Sequence, residues 1–137
     1  LTWRSQPAAD GAPTPCVALP GDAPYGTIVT TDDGSAGLAG RVTAGLAAWH
    51  ARLGAAAADA LVCACGPERM LAALAEQTRQ LGLACQLCIE RPMGCGLGTC
   101  LSCVVRVRAD EPSGWRWALA CSDGPVFDRD ELMDVTH

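Results

Sequence analysis

The chain has 137 residues, of which half are apolar and 18% are charged, and its formal net charge is −5. A chain of this length can bury one modest core plus a small appended module, and no apolar run is long enough for a transmembrane helix. The negative charge argues against nucleic-acid binding, for which a basic stripe would be expected. Nine cysteines without a visible signal peptide predict a thiol-rich cytoplasmic protein that does not associate with membranes.

The first ninety residues alternate between strand and helix signals. The predicted elements are a strand over 25–31, a helix over 41–53, a strand over 60–65, a helix over 67–81 and a strand over 83–90. Residues 60–65 are continuously apolar, as expected of a strand buried on both faces. Strands that alternate with helices predict an α/β fold with a partial Rossmann-like layer, in which crossover helices connect parallel strands.

A β-hairpin is predicted near the C-terminus. Residues 104–109 and 115–120 both alternate in polarity, and the turn-forming residues 110–114 separate them. If Ala109 lies opposite Trp115, the antiparallel register places Cys103 opposite Cys121. The pairing of the strands would then bring two distant cysteines together.

Four cysteines at characteristic spacings flank and precede this hairpin. Cys95, Cys100 and Cys103 form the pattern C-x4-C-x2-C, and Cys121 follows alone. This is the spacing of plant-type [2Fe-2S] sites. The glycines at 94, 96 and 98 can adopt positive φ and bring N–H groups close to the sulfurs. The pattern therefore predicts that the four cysteines bind a [2Fe-2S] cluster and that the chain transfers single electrons.

Four cysteines can also bind zinc or form disulfides. Structural zinc sites generally draw their cysteines from two short pairs, whereas only Cys100 and Cys103 form such a pair here. A disulfide framework suits secreted chains, and an odd number of cysteines does not favour it. A non-catalytic zinc module that serves assembly remains the alternative from another functional class.

The other five cysteines lie outside this pattern. Free cysteine is among the most buried residue types, so Cys16, Cys63, Cys85 and Cys88 are expected in the core. Cys65 differs from these four because it begins the motif Cys-Gly-Pro.

Three stretches together resemble one family. They are Cys65-Gly66-Pro67-Glu68-Arg69-Met70, the run from Met93 to Cys103, and the run from Cys121 to Phe127. This combination resembles the electron-transfer subunit of NAD-dependent (class 1B) dihydroorotate dehydrogenase, in the ferredoxin reductase superfamily. The resemblance covers roughly residues 27–132 and includes the stretch Thr31-Asp32-Asp33-Gly34-Ser35.

The family has three parts, and the resemblance implies that this chain corresponds to its C-terminal portion. An FAD-binding barrel, an NAD-binding α/β domain and a [2Fe-2S] module follow one another in the family. The barrel and the first strand of the NAD domain have no counterpart here. By this resemblance, residues 1–90 are a partial NAD-binding domain and residues 91–137 are the cluster-binding module.

The resemblance also implies cofactor contacts. Cys65, Gly66 and Pro67 would lie at a strand-to-helix turn that faces the nicotinamide and the flavin. Asp32, Asp33 and Gly34 would line the NAD side. FAD would be held mostly by the missing barrel.

The activity implied by the resemblance is that of an oxidoreductase subunit that is not active alone. Electrons would pass between NAD and FAD, then through the cluster to the FMN of a catalytic subunit that oxidises dihydroorotate in pyrimidine biosynthesis. A flavin is required because NADH gives a hydride and the cluster accepts one electron. The assembly would be a hetero-oligomer, specifically a heterotetramer. A reductase subunit of a soluble hydrogenase, or a ferredoxin-NADP oxidoreductase, is the alternative within the enzyme class.

Overall fold

The computed structural model describes residues 2–3, 5–15, 17–18 and 26–135. The chain divides into two compact units, Leu1–Ala57 and Ala58–His137. Helices and strands occur in both units, so the predicted α/β class is confirmed.

The first unit contains short strands and a helix. Strand β1 (Thr2–Trp3) pairs antiparallel with β2 (Val17–Ala18), and β3 (Thr30–Thr31) pairs parallel with β4 (Leu38–Ala39). Helix α1 (Val42–Leu53) follows and continues into a 3-10 turn, Gly54–Ala57.

The predicted helix over 41–53 is confirmed, whereas the strand predicted over 25–31 is much shorter and has a local partner. Gly45 is the buried residue of α1, and a Cβ at this position would lie 3.1 Å from Cγ2 of Thr30. The helix therefore packs closely on β3 at a position where only glycine fits comfortably. Val42 and Leu53, at the two ends of this helix, remain 39% and 43% exposed.

The second unit is built on a β-α-β unit. Strand β5 (Leu61–Cys65) leads through helix α2 (Glu68–Gln80) to strand β6 (Ala84–Cys88), which pairs parallel with β5. Strand β9 (Val126–Asp128) adds to the far edge of β6 in the antiparallel direction, giving the order β5-β6-β9. The parallel crossover predicted for this part of the sequence is confirmed.

The two faces of this sheet have different environments. Helix α2 covers the face that carries Ala64, Leu87 and Phe127, all of which are buried. On the opposite face, Leu61 and Val126 are 52% and 50% exposed. The prediction that residues 60–65 form a strand buried on both faces is therefore wrong.

The exposed face also changes the expected positions of the cysteines. Cys63 is exposed because its side chain lies on the open face, so its predicted place in the core is wrong. Cys85 lies on the helix-facing side and is buried as predicted, whereas Cys88 is half-buried. Cys16 lies outside the described residues.

The C-terminal segment is anchored to the β-α-β unit by side-chain contacts as well as by β9. The Arg129 guanidinium donates to the carbonyl oxygen of Leu83 at 2.9 Å and to Oγ1 of Thr78 at 3.3 Å. At the start of β9, the N–H of Ile89 donates to the carbonyl oxygen of Pro125 at 3.0 Å. After the intervening segment, the chain thus returns to pair with β6. The domain boundary predicted after residue 90 does not coincide with the division into compact units, which falls after Ala57.

The predicted hairpin is present in the segment between β6 and β9. Strand β7 (Val104–Arg108) pairs antiparallel with β8 (Trp115–Leu119), with Val104 opposite Leu119. The predicted register is wrong by one residue, because Ala109 belongs to the turn and donates its N–H to Gly114. Cys103 consequently lies opposite Ala120, whose N–H donates to the Cys103 carbonyl at 3.0 Å.

Packing explains this register. The buried Val105 lies opposite the buried Ala118, and the buried Val107 lies opposite Arg116 on the same face, whereas the tryptophans share the other face with Arg106 and Arg108. There the Arg106 guanidinium lies 5.7 Å from the centroid of the Trp115 ring, a cation–π contact. The predicted register would have mixed the bulky tryptophan face with the valine face. None of the helices in the described part of the chain is long and apolar enough to cross a membrane.

The closing strand β9 provides a test of this architecture. Phe127 is 6% exposed and lies opposite Leu87 within the sheet. Phe127→Ala is expected to lower the free energy of unfolding by about 3 kcal/mol or more, because it leaves a cavity in a packed core. Val126→Ala changes the neighbouring residue on the open face and should cost less than about 1 kcal/mol. Urea unfolding of both variants measures the difference, and equal losses would contradict the described placement of β9.

Candidate functional site

The four cysteines of the C-x4-C-x2-C pattern and Cys121 are carried by one loop and by the ends of the hairpin. Cys95 and Cys100 lie in the loop between β6 and β7, and Cys103 directly precedes β7. Cys121 follows Ala120, the residue opposite Cys103. Cys103 is buried, Cys95 and Cys121 are half-buried, and Cys100 is exposed. The hairpin therefore places Cys121 beside Cys103, although not by the pairing predicted from the sequence.

The loop directs backbone N–H groups at the sulfur of Cys95. The N–H groups of Leu97 and Cys100 donate to Sγ of Cys95 at 3.3 and 3.4 Å. Together with the Thr99 hydroxyl, the largest contribution, these donors lower the pKa of Cys95 to about 5. Hydrogen bonds to the charged form favour the thiolate. The loop is thus shaped to hold an anionic sulfur at neutral pH.

Cys121 interacts with other cysteines of the set. Its hydrogen bond with Cys103 is the main reason that the pKa of Cys121 is raised, and burial adds to this effect. The N–H of Gly98 donates to Cys121 and opposes the shift. Gly98 has φ +82°, a left-handed conformation that favours glycine. Cys121 therefore contacts both the hairpin and the loop that carries the other cysteines.

The contacts among these cysteines do not form a site for a single metal ion. Among the residues that the structure describes, no three side chains of His, Cys, Asp or Glu are grouped closely enough to hold one metal ion. A [2Fe-2S] cluster divides its four thiolate ligands between two irons, so the ligands need not converge on one atom. The assignment of all four cysteines as ligands stays a prediction.

Ser102 is a feature of the loop to which the sequence analysis gave no role. Its Oγ accepts from the N–H of Gly94 at 3.0 Å, donates to the carbonyl oxygen of Pro92 at 3.2 Å, and lies 3.2 Å from Sγ of Cys100. A Cβ at Gly94 would lie 2.9 Å from the same sulfur, so glycine is required there. The position of Ser102 between the two cysteines of the C-x2-C pair is the sequence feature from which this bracing role could have been predicted.

The cysteines and their surroundings fit an iron–sulfur cluster on these observations. Thiolates are the ligands of such clusters, and N–H groups directed at the sulfurs are among the means by which proteins tune them. The loop supplies both, and a side chain at Gly94 would collide with the sulfur of Cys100.

The Cys65-Gly66-Pro67 stretch forms the turn that was predicted from its motif. Cys65 is the last residue of β5, and Pro67 is the N-terminal cap of α2. Gly66 has φ +153°, a conformation that residues with side chains rarely adopt, so the turn favours glycine. Glu68, the first residue of α2, forms an ion pair with Arg91, whose side chain is nearly fully buried. The structure thereby connects this turn with the start of the cysteine loop.

Asp32, Asp33 and Gly34 lie in the Leu1–Ala57 unit, in the exposed turn between β3 and β4. Oδ1 of Asp33 accepts the N–H of Ser35 at 2.9 Å, and this hydrogen bond is the main reason that the pKa of Asp33 is lowered. Gly34 has φ +72° and donates its N–H to Thr31. These interactions define the turn, and the NAD contact of the three residues stays a prediction.

The bracing role of Ser102 leads to a prediction for the loop. Ser102→Ala removes two backbone hydrogen bonds and a contact with Cys100, so reconstituted protein should release iron to a chelator about tenfold faster. Ser113→Ala is the matched control, because Ser113 also bonds to the backbone, at 2.7 Å from the Trp115 carbonyl oxygen, but in the hairpin turn. Absorbance of the bound iron over time measures both rates. Equal rates in the two variants would show that Ser102 does not brace the site.

The cysteine loop and hairpin are similar to a domain of known proteins. Residues 90–133 match the iron–sulfur cluster binding domain of dihydroorotate dehydrogenase B. The matched range contains all four cysteines and both hairpin strands.

Curated relatives extend this similarity over most of the chain. The electron transfer subunit of dihydroorotate dehydrogenase B (NAD(+)) from Caldanaerobacter subterraneus is 37% identical over 106 residues, which are 77% of this chain and 40% of that protein. The subunits from Geobacillus thermodenitrificans and Bacillus caldolyticus are 42% and 43% identical over 107 residues, in each case 78% of this chain and 37% of the relative. The chain therefore spans about two fifths of the length of these relatives.

A solved structure of an NADH-dependent reduced ferredoxin-NADP oxidoreductase, described for flavin-based electron bifurcation, is also similar. It shares 30% sequence identity and a TM-score of 0.60, over 77% of this chain and 34% of that one. With 37–43% identity to the curated subunits and a matching cluster domain, the chain is similar over most of its length to dihydroorotate dehydrogenase B electron transfer subunits and corresponds to part of their length.

Proposed function

We propose that this chain is an electron-transfer component of an NAD-dependent dihydroorotate dehydrogenase and that Cys95, Cys100, Cys103 and Cys121 hold its [2Fe-2S] cluster. The observation that carries the proposal is the cysteine loop, in which N–H groups are directed at Cys95 and Cys121. When bound, such a cluster supplies one-electron transfer. The match of residues 90–133 to the cluster domain supports this assignment.

The residues of the chain position and tune this site. Backbone N–H groups stabilise negative charge on Cys95, and Ser102 fixes the loop next to Cys100. Burial of Cys103 keeps water from one side of the site. No side chain needs to act as an acid or base, because the proposed role is positioning and tuning of the reduction potential.

The β-α-β unit is proposed to be part of a Rossmann-like NAD-binding layer. Its strand-to-helix turn at Cys65, Gly66 and Pro67 would face the nicotinamide and flavin, and Asp32, Asp33 and Gly34 would line the NAD side. Ligands of open α/β sheets bind at the carboxyl ends of the strands, where this turn lies. FAD would be held mostly by residues outside this sequence, so the chain alone is not expected to oxidise NADH.

The proposed partner is the FMN-containing subunit that oxidises dihydroorotate, in a hetero-oligomer. Large apolar side chains near the cysteines are exposed to solvent: Leu97 is 82%, Leu101 is 61% and Trp117 is 57% exposed. Exposed apolar side chains that are grouped around a functional site are typical of protein interfaces. The aromatic ring of Trp117 is the type of residue that dominates binding energy at such contacts.

A reductase component similar to the ferredoxin-NADP oxidoreductase is the second candidate. The structural similarity to that enzyme supports this candidate. Both candidates would use the same cluster and the same NAD-binding layer. The identity of the partner distinguishes them.

Metal analysis tests the cluster assignment. Protein purified without oxygen should contain about two irons and two sulfides per chain. Serine at Cys95, Cys100, Cys103 or Cys121 should abolish or strongly reduce this content, and Cys63→Ser should leave it unchanged, because Cys63 lies on the open face of the sheet. One zinc and no iron would instead establish the zinc alternative.

Co-purification tests the partner. A dihydroorotate-oxidising flavoprotein should bind the chain, and Trp117→Ala should weaken this binding about tenfold or more. Leu61→Ala removes a similarly exposed apolar side chain from the sheet and should not affect binding. Binding to a ferredoxin but not to the flavoprotein, measured by the same method, would favour the reductase candidate.

A further inference from the structure

Two cysteines outside the proposed cluster site are neighbours on the open face of the sheet. Cys65 ends β5, Cys88 ends β6, and the two residues are partners in the parallel register of these strands. Their side chains share a groove with Cys63 and Val126, on the face that helix α2 does not cover. As register partners on one face of the sheet that also line the same groove, Cys65 and Cys88 lie side by side.

The backbone spacing at this position suits a disulfide. Neighbouring strands lie about 4.8 Å apart, and register partners point to the same face. Disulfides join residues whose Cα atoms are about 4.4–6.8 Å apart. Cys63 cannot form such a disulfide between the strands, because its register partner is Gln86.

The two thiols differ in accessibility. Cys65 is exposed, whereas Cys88 is half-buried. Burial, and secondly the contact with Cys65, raise the pKa of Cys88. Because Cys65 is the more exposed of the two thiols, it is the one that an external disulfide meets first.

We propose that Cys65 and Cys88 are a redox-active pair that closes to an internal disulfide by exchange with a low-molecular-weight disulfide such as glutathione disulfide. The Cys65 sulfur attacks glutathione disulfide, forms a mixed disulfide and releases one glutathione. The Cys88 sulfur then attacks the sulfur of Cys65 and expels the second glutathione. Two protein thiols are oxidised, one glutathione disulfide is reduced, and the two thiol protons end on the two glutathione molecules.

The formation of this disulfide does not depend on the proposed function. Its consequence does: if Cys65 faces the cofactors, oxidation removes the free thiol from the turn at Gly66 and Pro67. Oxidising conditions would then slow electron transfer at a point separate from the cluster. The experiment below follows the sulfur chemistry alone, so that its failure would leave the cluster assignment intact.

Peptide mapping of the glutathione-treated chain tests the proposal. Trypsin and a glutamate-specific protease together release residues 53–68, with Cys63 and Cys65, and residues 80–90, with Cys85 and Cys88. After treatment with glutathione disulfide and blocking of the remaining thiols, these two peptides are expected to be disulfide-linked. Fragmentation spectra should assign the bond to Cys65 and Cys88, and dithiothreitol should release it.

Two variants distinguish the proposed pair from unspecific oxidation. In Cys88→Ser the glutathione adduct on Cys65 should persist at least about tenfold longer than in the unmodified chain, because the resolving thiol is absent. Cys63→Ser is the control and should form the link as the unmodified chain does. Circular dichroism verifies that both variants are folded. A persistent Cys65 adduct in the unmodified chain, or a link through Cys63 or Cys85, would overturn the proposal.

Discussion

The pairing of β6 with β9 closes the segment between residues 89 and 125 at its base. Cys88 lies opposite Val126, and the hydrogen bond from Ile89 to Pro125 extends the ladder by one further contact. The entropy cost of closing a loop grows only slowly with its length, so a few contacts at the base can hold even a long segment closed. The cysteine loop and hairpin depend on this closure, because both lie in the segment that connects β6 to β9.

The same pairing gives the sheet two chemically different faces. Strand β9 contributes Phe127 to the side covered by α2 and Val126 to the open side. On the covered side, hydrophobic burial and the Arg129 contacts hold helix and strand together. On the open side, Cys65 and Cys88 remain accessible at the strand ends. The ion pair between the buried Arg91 and the partly exposed Glu68 connects the start of the cysteine loop with the first turn of α2.

Local chemistry made much of this structure predictable from the sequence. Helix α2 begins after Pro67 and is followed by Gly82 at φ +68°, and residues 110–114 contain the turn chemistry that separates the hairpin strands. The cysteine spacing indicated the candidate site without any structural information, and the cluster-domain match later covered the same residues.

What the sequence could not provide was set by contacts between distant residues. The hairpin register depends on which face of β7 is buried, and the pattern of 104–109 alone does not determine this. Strand β9 has only three residues and a partner about forty positions away, so its propensity signal is too short to detect. The open face of β5 could not be recognised either, because Leu61, Cys63 and Cys65 are as apolar as core residues.

The closed base at Ile89 and Pro125 also has a consequence for how such proteins can be recombined. Segments whose two ends lie side by side can be inserted into or removed from a host fold with little disturbance to it. Residues 89–125 enter and leave through adjacent strands and carry all four cysteines between them. Because the hairpin also bonds to residues 131–133 beyond β9, a segment exchanged between scaffolds would have to include those residues together with the four cysteines.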